Sequence, residues 1–141
     1  TMLALEELTR HRIVPVVVLK DAAGAAPLAE ALLAGGLPVA EVTLRTEAGL
    51  ASIRTMAQYP DMLVGAGTVL SAEQVDQVAD AGARFVVSPG LSRTVVERAQ
   101  SRGLLVLPGA VTPSQPSCAN AALPNGSVSR CSPSAPRTVR V

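Results

Sequence analysis

Aromatic side chains are nearly absent from this sequence: Tyr59 and Phe85 are the only two, and there is no tryptophan. Proteins that hold single-stranded nucleic acid stack the bases on aromatic side chains, and this chain has too few for such a surface. The net charge is only +1, with both signs interspersed through residues 1–102. A basic surface for nucleic acid or lipid is therefore not indicated. We expect neither nucleic acid nor a membrane among its partners.

Long apolar runs and a cysteine framework are also absent, and we expect no secretory signal. No apolar run reaches the roughly 18 residues that a membrane span needs. The N-terminal segment carries Glu6 and Glu7 where a signal peptide would continue its apolar core, so we expect a cytoplasmic protein. Cys118 and Cys131 are the only cysteines, too few for a disulfide framework and without metal-type spacing. We interpret them as incidental and predict no metal site.

What the sequence does contain is a repeated alternation of two kinds of segment. Short apolar runs that are rich in β-branched residues are one kind. Between them lie Ala- and Leu-rich segments whose apolar residues have helical spacing. The apolar runs lie at 13–19, 39–44, 62–66, 84–88 and 104–108. This alternation predicts five βα units and a parallel sheet.

The predicted helix ends carry the residues that helix termini prefer. Ser71 followed by Gln74 three residues later is a capping-box pattern, and Ser92 is a further candidate N-cap. Glycine supplies the left-handed residue that a helix C-terminus favours. Such glycines stand at Gly35–Gly36, Gly82 and Gly103.

The second apolar run decides between two architectures, a doubly wound sheet and a (βα) barrel. Strand residues alternate between faces, so Glu41, Thr43 and Arg45 share one face, opposite Val42 and Leu44. A polar face suits the mouth of a barrel and suits a helix-covered sheet poorly. A complete barrel takes about 250 residues. The predicted fold class is therefore α/β, a partial TIM (βα) barrel with about five of the eight units.

The repeated pattern stops after residue 114. Residues 115–141 hold four of the eleven prolines and show neither a helical nor a strand period. We therefore divide the chain into 1–114, the barrel part, and 115–141, an irregular tail. That tail is interpreted foremost as an out-of-frame remnant, with a disordered extension and a basic arm as alternatives. The partial barrel would leave its first and fifth strands with unpaired edges.

Candidate functional residues cluster where the predicted strands end. Burial of Glu41 in an apolar mouth would raise its pKa and suit it to general acid–base catalysis. Arg45 offers a bidentate site for a small carboxylate, and Thr68 adds a hydroxyl beside glycines that allow close backbone approach. These residues predict a site for a small keto acid. The residues alone leave an ion pair between Glu41 and Arg45 as an equal alternative.

Four motifs in register make the chain similar to a known family. EVTLRT (41–46), GAGTVL (65–70), SPGL (88–91) and PG-x-x-TPS (108–114) resemble the strand ends of the 2-keto-3-deoxy-6-phosphogluconate (KDPG) and 4-hydroxy-2-oxoglutarate (KHG) aldolases. The resemblance covers roughly residues 3–114. It implies a TIM barrel, a homotrimer, a keto-acid substrate with a pyruvate moiety, and no metal or other cofactor. GAGTVL has only two of the three glycines of a dinucleotide fingerprint, so a nucleotide-binding domain is disfavoured.

The resemblance also implies residue roles. Glu41 would shuttle protons, Arg45 would bind the pyruvate carboxylate with help from Thr68, and Pro89 would line the pocket. The family's Schiff-base lysine lies on a sixth strand that nothing in residues 115–141 matches, and Lys20 is the only lysine.

The implied reaction is class I aldol cleavage of KDPG to pyruvate and glyceraldehyde 3-phosphate, or of KHG to pyruvate and glyoxylate. Without the lysine strand we expect this chain to be inactive. The alternative is a non-catalytic fragment that still binds keto acid. Lys20 is a candidate substitute nucleophile, although a solvated lysine is the favoured interpretation.

Overall fold

The computed structural model describes residues 2–109 and 137–140. Within them, the five predicted strands are confirmed to within two residues at each end, and a helix follows each of the first four. The strands are β1 (Ile13–Val17), β2 (Val39–Thr43), β3 (Leu63–Gly67), β4 (Phe85–Ser88), β5 (Leu105–Pro108) and β6 (Arg137–Arg140). The helices are α1 (Met2–His11), α2 (Ala25–Ala34), α3 (Ala48–Met56), α4 (Ala72–Asp80) and α5 (Arg93–Ser101). No helix in this part of the chain has the length and hydropathy of a membrane span.

The strands form one sheet in the order β5-β4-β3-β2-β1-β6, and every pairing is parallel. Glu41 of β2 lies opposite Gly65 of β3, and Gly65 lies opposite Phe85 of β4. The predicted series of parallel βα units is thus confirmed. Because the strands are parallel, their carboxyl ends meet at a single edge, which is where ligands bind in folds of this class.

The two faces of the sheet bury different partners. On the outer face, Val42, Val64 and Val86 pack in a cluster with residues of α2 to α5. On the inner face, Leu63 and Phe85 pack against Ala4 and Leu8 of α1. This alternation keeps both faces apolar through the middle of the strands and leaves polar residues of β2 at the carboxyl edge.

The N-terminal helix α1 was not among the predicted elements. Its buried residues Ala4 and Leu8 lie one helical turn apart and cover the inner face from one end. Arg84, just before β4, lies 3.6 Å from Glu7 of this helix, at an exposed position where an ion pair contributes little. The stability of the helix therefore depends on burial of a narrow apolar stripe. In a segment of ten residues such a stripe is only a weak sequence signal for a helix.

The predicted helix caps are largely confirmed. The Ser71 hydroxyl accepts a hydrogen bond from the Gln74 amide at 3.3 Å, while the Gln74 side chain accepts one from the Leu70 amide at 2.7 Å. Ser92 precedes α5 but its side chain makes no capping bond. Gly36, Gly82 and Gly103 have positive φ, as predicted, whereas Gly35 has φ −79° and is right-handed.

The predicted free edge of the first strand is wrong, because β6 pairs in parallel with β1 from Ile13 to Val16. A four-residue strand after a Pro- and Ser-rich segment is too short to produce a visible apolar period. The rest of the tail lies outside the described residues. The boundary at residue 114 and the irregular tail beyond it stay predictions.

Close packing between β3 and β4 gives a stability prediction. A Cβ atom at Gly65 would lie 2.1 Å from a ring carbon of Phe85, which is fully buried. We expect Gly65→Ala to lower the free energy of unfolding by about 1–3 kcal/mol through overpacking, as measured by urea denaturation. Gly90→Ala is the control, because a Cβ there meets nothing within 4 Å. Equal losses in the two variants would contradict this packing.

Candidate functional site

The residues singled out from the sequence all lie at the carboxyl edge of the sheet. Glu41 is on β2 and Arg45 follows its end; Thr68 directly follows β3, Pro89 directly follows β4, and Lys20 lies in the loop after β1. Arg45, Pro89 and Lys20 are exposed, Thr68 is half-buried and Glu41 is 9% exposed. The edge therefore combines one sheltered carboxyl group with solvent-facing cations.

The Glu41 carboxyl group lies over Gly67 on the inner face. A Cβ atom at Gly67 would be 2.1 Å from Glu41 Oε1, so only glycine leaves this space to the carboxyl group. The sequence predicted that Gly65 and Gly67 let the backbone approach a ligand. In the structure these two glycines make room for the side chains of Phe85 and Glu41, and their approach to a ligand stays a prediction.

Burial raises the pKa of Glu41 above its ordinary value of 4.5, and the positive charge of Arg45 opposes this only in part. The direction agrees with the sequence prediction. The Glu41 side chain makes no hydrogen bond or ion pair with any described residue, so the ion pair with Arg45 that the residues alone left open is not formed in this part of the chain. A sheltered carboxyl group with a raised pKa is suited to receive and return a proton near neutral pH.

Thr43 is a polar residue of this edge to which the sequence analysis gave no role. It is 1% exposed, and its hydroxyl has no hydrogen-bond partner among the described residues. Buried polar groups without a partner are rare. The signal in the sequence was its position between Glu41 and Arg45 on the same strand face.

Thr68 has an unusual backbone. Its φ is +60°, in the left-handed region that β-branched residues rarely adopt. Strain of this kind costs about 1–3 kcal/mol and concentrates at functional sites. The residue directly follows Gly67, over which the Glu41 carboxyl group lies, so the strained position borders the sheltered group.

Hydrogen bonds join neighbouring loops at this edge. The Thr46 hydroxyl donates to the Leu19 carbonyl, which links the loop after β2 to the loop after β1. The Ser88 hydroxyl donates to the Gly90 carbonyl at 2.8 Å, and the Gly109 amide donates to the Ser88 carbonyl at 2.9 Å. These bonds join the loop of Arg45 to the loop of Lys20, and they order the segment around Pro89 against the end of β5.

Comparison with known proteins gives consistent results. The family model "KDPG and KHG aldolase" matches residues 5–122. The chain is 50% identical over 97 residues to the 2-dehydro-3-deoxy-phosphogluconate aldolase of Zymomonas mobilis, covering 69% of this chain and 47% of the relative. It is 45% identical over 109 residues to the KHG/KDPG aldolase of Escherichia coli K12, covering 77% and 51%. The chain thus spans about half the length of the curated relatives it matches.

Solved structures agree. The Zymomonas mobilis ZM4 KDPG aldolase with 3-phosphoglycerate superposes with a TM-score of 0.78 at 40% identity, covering 84% of this chain and 57% of that structure. The KDPG aldolase of Legionella pneumophila, with pyruvate captured as a covalent carbinolamine, gives 0.78 at 37% identity, covering 84% and 58%. Both likenesses extend to the fold and not only to single motifs.

The raised pKa of Glu41 predicts how stability depends on pH. The folded chain holds the Glu41 proton at pH values where the unfolded chain has lost it. The proton held by the folded chain therefore stabilises the folded state, and this contribution to the free energy of unfolding is lost as pH rises through the folded pKa of Glu41. We therefore expect the free energy of unfolding of the wild type to fall relative to Glu41→Gln as the pH rises above the ordinary glutamate value of 4.5, measured by urea titration across that range.

Only the pH dependence of the difference is informative, because the buried glutamine adds a constant offset. Glu97→Gln, which removes an exposed carboxyl group on α5, controls for the loss of one negative charge. A difference between wild type and Glu41→Gln that stays constant across this range would contradict the raised pKa.

Proposed function

Because this chain belongs to the KDPG and KHG aldolase family, we propose that its strand ends form the keto-acid-binding and proton-transfer part of a class I aldolase site. The reaction that we propose for the complete site, with a Schiff-base lysine in place, is cleavage of KDPG to pyruvate and glyceraldehyde 3-phosphate; for this chain we propose keto-acid binding. The second proposed substrate is KHG, which would be cleaved to pyruvate and glyoxylate. The names of the relatives, which include both substrates, support this pair.

One observation carries the proposal: a nearly buried carboxyl group, Glu41, at the carboxyl edge of the sheet with its pKa raised by burial. Aldol cleavage removes a proton from the C4 hydroxyl as the C3–C4 bond breaks, and C3 of the resulting enamine is then protonated. One group that accepts the first proton and donates the second serves both steps. The raised pKa brings the two protonation states of Glu41 closer to balance near neutral pH.

Arg45 and Thr68 supply the carboxylate site in this proposal. Arg45 is exposed at the mouth, where a ligand carboxylate can reach its guanidinium without first being buried. A guanidinium binds a carboxylate through two parallel, charge-assisted hydrogen bonds. Thr68 adds a hydroxyl from the neighbouring strand end, and exposed Pro89 borders the same edge from β4.

The nucleophile is the part of the site that the described residues do not provide. In class I chemistry an amine attacks the ketone carbon, forms a carbinolamine and loses water to give the Schiff base. The only lysine of this sequence is Lys20, which is exposed in the loop after β1. We infer that this chain binds keto acid through Arg45 and that Lys20 does not act as the nucleophile. The homotrimer and the cytoplasmic location stay predictions.

Pyruvate binding tests the carboxylate site. We expect pyruvate to perturb the NMR signals of residues at the carboxyl edge. In Arg45→Gln we expect the affinity for pyruvate to weaken by about 10-fold or more, because a hydrogen bond to a charged group is worth about 1.5–3 kcal/mol. Arg54→Gln is the matched control, since it removes an exposed arginine from α3. Equal weakening in both variants would show nonspecific attraction by net charge.

Borohydride reduction with pyruvate tests Lys20. An imine formed between an amine and pyruvate is fixed by reduction and detected as added mass on a tryptic peptide. We expect no adduct on Lys20, with Lys20→Arg as the control for reaction at the N-terminal amine. An adduct that disappears in Lys20→Arg would instead make Lys20 the nucleophile and this chain a catalyst.

A further inference from the structure

Two neighbouring polar side chains on the inner face of the sheet lack hydrogen-bond partners among the residues that the structure describes. The Thr43 hydroxyl is buried without a hydrogen bond to any described residue. The carboxyl group of Glu41, two residues earlier on the same strand face, makes no hydrogen bond or ion pair with the described residues either. Each group therefore has bonding capacity that nothing described in the structure uses.

The register of β2 and β3 places these two groups side by side. Thr43 lies directly opposite Gly67. The Glu41 carboxyl group leans over that same glycine and occupies the space of its missing side chain. Since paired strands are about 4.8 Å apart, the carboxyl group lies roughly one strand spacing from the Thr43 side chain. The structure shows no hydrogen bond between the two side chains. Both side chains can change between staggered rotamers, and the contact proposed below requires such a change.

We propose that Thr43 is a positioning residue for Glu41, and that its hydroxyl hydrogen-bonds the Glu41 carboxyl group in both protonation states of that group. A hydroxyl is both a donor and an acceptor. It donates to the ionised carboxylate and accepts from the protonated acid. A backbone amide or an arginine could only donate, and would favour the ionised state alone. The catalytic value of this contact rests on the proton-transfer role proposed for Glu41, whereas the contact itself does not.

Among the described residues, few other groups can move the titration of Glu41. Arg45 is the charged residue whose field acts on it. The residues opposite Glu41 on the neighbouring strands are Val16 of β1 and Gly65 of β3, which have no titratable side chain. A change in the Glu41 titration after substitution of Thr43 is therefore attributable to the hydroxyl, provided that Arg45 is intact.

The test is an NMR titration of the Glu41 carboxyl carbon in the full chain, without substrate. Thr43→Val preserves the shape of the side chain and removes the hydroxyl, and Thr43→Ser keeps the hydroxyl. We expect the Glu41 midpoint to move to higher pH in Thr43→Val, because the bond to the charged form is the stronger of the two. In Thr43→Ser it stays near the wild-type value. Thr9→Val, which removes an exposed hydroxyl from α1, should leave it unchanged.

Three results would overturn the proposal. The Glu41 titration in Thr43→Val could overlay that of the wild type, or its midpoint could move to lower pH. Alternatively, the midpoint could move equally in Thr43→Val and Thr43→Ser, which would assign the effect to packing. If Thr43→Val does not fold, Thr43→Ala removes the hydroxyl without adding bulk and carries the same expectation. Failure of the chain to bind pyruvate would remove the proposed function and leave this titration intact. Overlaid titrations with normal pyruvate binding would remove only the role of Thr43.

Discussion

The site depends on a carboxyl group held where a side chain of the next strand would otherwise be. Glu41 reaches over Gly67, and the surrounding sheet shelters it from water enough to raise its pKa. Burying an ionisable group costs free energy that the rest of the fold must offset. The offset comes from the two apolar clusters on either side of the sheet, which hold β2 and β3 in the register that brings Glu41 over the glycine.

The parallel topology converts this local arrangement into a site. A carboxyl group on one strand gains neighbours only because the strands on either side end at the same edge. Arg45, Thr68 and Pro89 come from three successive βα units and would be distant in any fold that reversed one of them. The link from Thr46 to the Leu19 carbonyl and the bonds of Ser88 then fix the loops in which the cations and the proline lie.

Much of this arrangement follows from local sequence features, and the exceptions have physical causes. The strands were predictable because β-branched runs and helical spacing alternate, and Glu41 because a charge in an apolar run is conspicuous. Helix α1 and strand β6 were missed since each depends on tertiary contacts of a short segment. The isolation of the Thr43 hydroxyl and the contact between Glu41 and Gly67 depend on register and rotamers, which one sequence does not specify.

The left-handed backbone of Thr68 has a consequence for evolution and for engineering. Glycine adopts this conformation without steric cost, so Thr68→Gly would relieve backbone strain that lowers the stability of the folded chain. The same change would delete the hydroxyl beside the sheltered carboxyl group. Selection for thermal resistance alone would therefore favour loss of the Thr68 hydroxyl, whereas selection for the proposed carboxylate site would keep it.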